Sequence, residues 1–248
     1  MPTLEPAARS FGAEADRYDR ARPSYPAAAV DRIVARSPGP RVLDVGCGTG
    51  ISSRQFQAAG CRVLGVEVDA RMASIARNGL DVEVSAFETW DPAGREFDAV
   101  VAGQTWHWID PVAGAAKAAE ALRPGGLIAL FWNVMQPPPE VFAPFGDLLG
   151  GTLGKRPMLD TYEVMFSNAT NGIRDAGGFG DAEDWRFEWE RSYTRQEWLD
   201  QLPTFGGYSH LAPARQTDVL TASGAAIDAL GGSFTMPYTT VVVAASRS

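Results

Sequence analysis

Cysteine, histidine and lysine are scarce in this chain. Its 248 residues include two cysteines, two histidines and only two lysines, Lys117 and Lys155. Two thiols cannot build the disulfide framework of a small secreted domain, and Cys47 lies in a glycine-rich turn, a poor place for a bridge to Cys61. Free thiols in a reducing compartment are expected. No histidine–carboxylate cluster has metal-ligand spacing, so no metal site is expected. Long apolar runs are also missing. Nothing is long enough to span a bilayer and no charged segment followed by an apolar core opens the chain, so a cytoplasmic location is expected. Positive charge is in deficit, with 22 basic residues against 30 acidic ones and a formal net charge of −8. That balance argues against nucleic acid or an anionic membrane as a partner.

What the chain does have is a hydrophobic share of 45%, enough for one α/β domain with a lid or insertion. Residues 4–20 suit an amphipathic helix closed by Arg22-Pro23, and Pro26 to Arg36 a second helix. Short apolar or β-branched runs then alternate with helix-like segments as far as Trp132. This is the period of βαβ units with right-handed crossovers around a parallel sheet. Regularity fails after Asn133. Gln136 to Pro139 is a rigid exit, 140–172 reads as helical pieces, and Asp184 to Tyr193 and Phe234 to Ala245 read as late strands. A capped helix begins between them at Thr194.

The most informative stretch runs from Val42 to Gly50. An apolar strand ends near Asp44 and breaks into Gly46, Gly48 and Gly50 at alternate positions, and a helix-like segment follows from Ile51. Such a turn brings backbone N–H groups to a ligand that any Cβ would push away. The spacing is G-x-G-x-G, not the G-x-G-x-x-G that suits a pyrophosphate. A carboxylate at its mouth would repel phosphate and attract an ammonium. A cationic, amino-acid-bearing ligand such as S-adenosylmethionine (SAM) has that character.

Leu43 to Gly50 resembles motif I of the class I SAM-dependent methyltransferases (methyltransferase type 11 domain), and later segments follow that family's order. Val63 to Glu67 resembles the second strand and Val68 to Met72 the opening of the next helix. Val82 to Glu88 resembles the third strand and its loop, Phe97 to Gln104 the fourth strand, and Leu122 to Gly126 the turn before the fifth. Ser10 to Pro26 is similar to an F-x-x-x-A-x-x-Y-x-x-x-R-P-x-Y-P signature. A subgroup related to trans-aconitate and cantharidin-type small-molecule methyltransferases carries it, together with a motif like Gly103 to Trp108. The resemblance implies a Rossmann-like α/β fold, a seven-stranded mixed sheet of order 3-2-1-4-5-7-6 flanked by helices. It divides one domain, 1–248, into an N-terminal helical lid (1–36), a cofactor-binding core (37–133), a helical substrate-lid insertion (134–178) and C-terminal strands completing the sheet (179–248).

The same resemblance assigns candidate roles. SAM would be the cofactor and S-adenosylhomocysteine (SAH) the product. Asp44 would help hold the methionine ammonium, and Glu67, 21 positions after Gly46, would accept both ribose hydroxyls. Asp69 is expected to cap a helix instead. Gly46, Cys47, Gly48, Thr49, Gly50 and Gln104 would cradle the cofactor. Val68 and Met72 would lie against adenine, with Ala86, Phe87 and Glu88 at the ring edge and Ala86 standing where relatives often carry an acid. Tyr18 and Arg22, one helical turn apart, would close over the sulfonium and carboxylate end; the plainer reading pairs Arg22 with Asp19.

His107 and Tyr25 are the visible candidates for a catalytic base, although a histidine between two tryptophans also reads as structural, as does His210. Trp106 or Trp108 would wall the methyl-transfer site, offering an aromatic face to a sulfonium, and Trp132-Asn133, at the end of strand five, is a further rim candidate. Phe142, Phe145, Met158, Met165 and Phe166 would line an apolar pocket or belong to the core. The expected reaction is methyl transfer to a small-molecule acceptor, first of all to a carboxylate or hydroxyl oxygen, by a monomer or homodimer. The alternatives are a SAM-binding sensor or assembly partner without transferase activity and a nicotinamide-dependent oxidoreductase.

Overall fold

The computed structural model describes residues 11–146, 158–208 and 211–248. Its strands are β1 Arg41–Val45, β2 Arg62–Glu67, β3 Asp81–Val84, β4 Phe97–Gly103, β5 Leu122–Met135, β6 Glu183–Thr194 and β7 Ser233–Ser246. They form one sheet in the order β3-β2-β1-β4-β5-β7-β6, the order expected from the sequence. The first five are parallel, and β7 lies antiparallel between β5 and β6. The helices are α1 Ala15–Ala21, α2 Ala27–Arg36, α3 Ile51–Ala58, α4 Ala70–Ala76, α5 Pro111–Ala121, α6 Pro139–Gly146, α7 Met158–Ala176, α8 Arg195–Gln201 and α9 Pro213–Ala229.

Successive strand side chains point to opposite faces, and here both faces are covered. Leu43, Val45, Val100, Ala102, Leu130 and Trp132 meet Ala115 and Ala118 of α5 and Phe166, Ala169 and Ile173 of α7. Val42, Ala99, Val101, Ala129 and Phe131 meet Val30 and Ile33 of α2 and Phe56 of α3. Double coverage is why the central strands read as unbroken apolar runs. A third cluster joins Met135, Tyr193, Met236 and Tyr238 of the strands to Val141, Trp198, Val219 and Ile227 of α6, α8 and α9. It roofs the antiparallel end of the sheet.

Two details differ from expectation. Leu122 to Gly126 is the irregular start of β5 and not a separate turn. Leu122 pairs with Phe97 and Leu127 with Ala99, and Gly125 takes φ 76° within the bulge. The helix expected over 4–20 is, within the described residues, broken at its start. A 3₁₀ turn, Phe11–Glu14, leads into α1, and residues 1–10 lie outside the described ones. Helix α9 buries a face built from Val219, Ser223, Gly224 and Ile227. Gly224 leaves room for the Arg195 guanidinium. The helix expected from Thr194 does form, with a reciprocal capping box between Thr194 and Glu197. Cys47 and Cys61 are both buried and unpaired. Among the described residues no helix is long and apolar enough to cross a membrane.

Candidate active site

The strand order reverses between β1 and β4, and in open α/β sheets ligands bind beyond the strand ends at that point. A chamber of about 1170 Å³ lies there, roofed by α1, α7 and the segment after α8. Its floor is the glycine turn. The N–H groups of Gly46 and Cys47 donate to the Val66 carbonyl at 2.7 and 3.2 Å, tying the turn to β2. Glu67 holds it from the other side, accepting from Gly48 N–H and Asp69 N–H, both at 2.8 Å.

The three glycines answer different needs, although all are left-handed, at φ 62°, 57° and 88°. A Cβ on Gly46 would collide with the Thr105 side chain, whose hydroxyl donates to the Gly46 carbonyl at 3.0 Å. Gly50 is the N-cap of α3, where a Cβ would touch Ala76 at 3.4 Å, and it does not line the chamber. A Cβ on Gly48 would meet only Met72 Cε, at 3.6 Å, and both residues line the chamber. Gly48 is therefore the position whose missing side chain opens the ligand space.

Asp44 requires a correction. It is fully buried on the α3 side of β1 and forms no part of the chamber wall. Oδ2 accepts from Ser52 at 2.7 Å and Ser53 at 2.6 Å, while Oδ1 has no partner. Burial pushes its pKa up to about 6 against the pull of the two hydroxyls, and the nearby Glu67 adds to the rise. Burial raises Glu67 as well. Two desolvated acids, one with an unsatisfied oxygen, leave a negative potential beneath the turn that a cation above it would relieve. Asp69 caps α4 as expected, Oδ1 accepting from Arg71 N–H at 2.9 Å and Oδ2 pairing with the Arg71 guanidinium at 2.7 Å.

Val68, Met72, Ala86, Phe87 and Glu88 line one end of the chamber, and Thr49 and Cys47 its floor. Phe87 is core as well as wall, 6.3 Å from Trp90 and 6.2 Å from Trp106 between ring centres. After β4, Gln104 is held at φ 55°, a strain of about 1–3 kcal/mol for a non-glycine residue. Its N–H donates to the Phe131 carbonyl at 2.8 Å and its Nε2 to the Asn133 carbonyl at 3.0 Å. Trp106 and Trp108 line the chamber as expected. Trp132 does not. It is wholly buried, and the next residue, Asn133, takes the wall position.

Neither expected base is poised to take a proton. His107 Nδ1 accepts from Trp132 Nε1–H at 3.3 Å, and burial lowers the imidazole pKa to about 4. The ring is therefore neutral near pH 7 with its proton on Nε2, a donor. Burial likewise pushes the Tyr25 phenol well above its ordinary range. Its ring stands edge-on to Phe131 at 4.5 Å, and its hydroxyl fits where Gly103 lacks a Cβ. Nitrogen NMR of a His210→Gln background is expected to show His107 as the Nε2–H tautomer from about pH 5.5 to 8.5. A titration centred near the ordinary histidine value would restore it as a candidate base.

Tyr18, Arg22 and Tyr25 line the chamber from the N-terminal segment. Arg22 does not pair with Asp19, which binds Arg54 at 2.7 Å. Its Nη2 donates to the Thr204 carbonyl at 2.7 Å, and its guanidinium lies over Phe205 at 4.2 Å and Tyr18 at 5.1 Å. Met158 and Met165 are wall residues, whereas Phe142 and Phe166 are packed into the core. The Phe145 side chain, Ser10 and His210 lie outside the described residues. Sequence reasoning missed Ser52 and Ser53, although two hydroxyls just past a glycine turn could have signalled a buried acid. It also missed the role of Thr105, although that residue lies within the Gly103 to Trp108 motif, and it missed Tyr162, Gln201, Phe205 and Tyr238, which no local pattern marks.

Residues 18–132 match a family described as a methyltransferase domain. An uncharacterized methyltransferase of Mycobacterium tuberculosis is 36% identical over 127 residues, which are 50% of this chain and 52% of the relative. The chain thus spans about half the length of the curated relatives it matches first. A malonyl-[acyl-carrier protein] O-methyltransferase of Enterobacter lignolyticus is 29% identical over 220 residues, 79% of this chain and 86% of that protein. Among solved structures, a protein from Anaeromyxobacter dehalogenans, provisionally described as a type II methyltransferase, superposes with a TM-score of 0.65. It is 22% identical and the match covers 90% of this chain and 97% of the other, a likeness of fold.

Proposed function

We propose that this chain is a SAM-dependent methyltransferase of a small-molecule acceptor, a reading supported by the similarity of residues 18–132 to a methyltransferase domain family and by the order of the sheet. The observation that carries this reading is an open glycine floor set over a buried carboxylate with an unsatisfied oxygen. SAM fits these residues. Gly48 leaves the space, Asp44 and Glu67 favour a cationic amino acid above them, and Glu67 ends β2 where a ribose would be met. When bound, SAM supplies a methyl group on a sulfonium, activated for in-line displacement.

The chain's own part is to hold, orient and keep out water. Gly46 to Thr49 and Gln104 would hold the methionine end, Glu67 the ribose hydroxyls, and Val68, Met72, Ala86, Phe87 and Glu88 the adenine. Tyr18, Trp106 and Trp108 would enclose the reacting centre. The segments 1–36 and 134–178 would serve as lids. A carboxylate acceptor is already ionised near neutral pH, whereas a hydroxyl would need a base. With His107 and Tyr25 both held as neutral donors, oxygen methylation of a carboxylate is favoured over that of a hydroxyl. The signatures at Ser10 to Pro26 and Gly103 to Trp108 support the subgroup related to trans-aconitate and cantharidin-type enzymes. The Enterobacter relative is likewise named as an O-methyltransferase.

Incubation with methyl-tritiated SAM and a panel of carboxylic acids and phenols is expected to place label in the small-molecule fraction, first in the acids. Firm SAM binding with no labelled product from any member would leave a sensor or assembly module.

A further inference from the structure

The lid end of the chamber has largely apolar walls, among them Met135, Met158, Tyr162, Met165, Phe205 and Tyr238. One full charge lies among them. The Arg22 guanidinium is half-buried and its Nε is buried without a partner. Its Nη2 donates to a neutral carbonyl, that of Thr204, at 2.7 Å. Among the described residues no carboxylate pairs with it. The acids within reach of its neighbours are already taken, Asp19 by Arg54 and Asp200 by Arg17 and Arg20. A desolvated cation without a counter-ion is unfavourable unless something brings one.

The surroundings locate this unmet charge. Burial raises the phenols of Tyr25, Tyr162, Tyr193 and Tyr238, and the Arg22 charge pulls each of them back. It is not among the charges that shift Asp44, beneath the glycine turn. A second unmet group stands on the same wall. Gln201, 1% exposed, lines the chamber with an Oε1 that has no partner. Both groups meet at the end of α8, since the Thr204 carbonyl accepts from Arg22 and the Thr204 hydroxyl donates to the Gln201 carbonyl at 2.6 Å.

Resting on the methyltransferase reading, we infer that Arg22 anchors the carboxylate of the acceptor, an acid whose apolar body fills the space between Met135, Tyr162 and Tyr238. A planar guanidinium matches a carboxylate with two parallel hydrogen bonds, and methionine and aromatic walls suit an apolar remainder. A hydroxyl or N–H on the same ligand would answer Gln201. The amino-acid end of SAM also carries a carboxylate, so the test separates the two sources.

The SAH-saturated full chain is titrated by calorimetry with 2-naphthoate and with its neutral counterpart, 2-naphthamide. The acid is expected to bind at least about tenfold tighter, Arg22→Gln to erase the difference, and Arg22→Lys, which keeps charge without the fork, to retain part of it. Arg22→Gln is also expected to bind SAH and 5′-methylthioadenosine, which lacks the amino-acid carboxylate, as the parent does. If Arg22→Gln loses SAH while keeping 5′-methylthioadenosine, Arg22 holds the cofactor's carboxylate and the inference is overturned. Equal binding of acid and amide, or of neither, overturns it as well. Failure of the parent protein to bind SAH would instead strike the underlying methyltransferase reading.

Discussion

Gly48→Val is expected to abolish SAH binding in a protein that still folds. The space its side chain enters is the chamber itself, bounded by Met72 Cε at 3.6 Å from a Cβ, so the loss falls on the ligand and not on packing. A weakening of at least about 100-fold, ~2.7 kcal/mol, is expected. A β-branched residue at φ 57° adds strain of about 1–3 kcal/mol, which lowers the melting temperature by several degrees without unfolding the protein at room temperature. Gly46→Val makes the contrast. Its side chain would strike Thr105 within the protein, and that variant is expected to fold poorly with or without ligand. Parent-like SAH affinity in Gly48→Val, measured by calorimetry beside a thermal melt, would remove the turn from the site.

Asp44→Asn is expected to move stability and binding in opposite directions. The folded pKa of about 6 lies above the ordinary value of 3.8, so the folded chain holds this proton more tightly than the unfolded one. Stability from this group is therefore greatest below about pH 4 and is lost as the pH rises through about 6, a cost on the order of 3 kcal/mol at pH 7. Asparagine carries no charge, and its carbonyl can still accept from Ser52 and Ser53. The variant should melt no lower than the parent at pH 7.5, and with a flatter pH dependence between about pH 4 and 6.5. Binding should suffer. SAM and SAH both present an ammonium, and without the negative field beneath the turn their affinity should fall at least about tenfold. For the parent, affinity should decline below about pH 6 as Asp44 takes up its proton, until the two proteins converge. Because Glu67 is also raised by burial, the variant isolates the Asp44 share. SAH affinity unchanged by Asp44→Asn at pH 7.5 would deny Asp44 an electrostatic part in binding.

The sheet order, the glycine turn, the place of Glu67 at the end of β2 and the Asp69 cap were legible because each depends on backbone conformation and short spacing. What depends on strand parity was harder to read. Asp44 shares its face with Val42 and so points toward α3, where Ser52 and Ser53 meet it. Trp132 and Asn133 differ by one register position, which sends the indole into the core and leaves the amide on the wall. Groups set by distant partners left no trace at all. The tautomer of His107 is fixed by Trp132, 25 positions away, and Arg22 is held by the Thr204 carbonyl, 182 positions away. Both are tertiary facts, and they turn a suspected base and a suspected ion pair into a neutral donor and an unmet cation.

Calorimetric titration of the ligand-stripped protein with SAM, SAH and NAD tests the central claim most directly. Binding of both adenosyl compounds with a Kd of about micromolar, and none of NAD, is the predicted result. Binding of NAD alone would contradict it, since a glycine floor over a buried, unsatisfied carboxylate would then be serving a pyrophosphate.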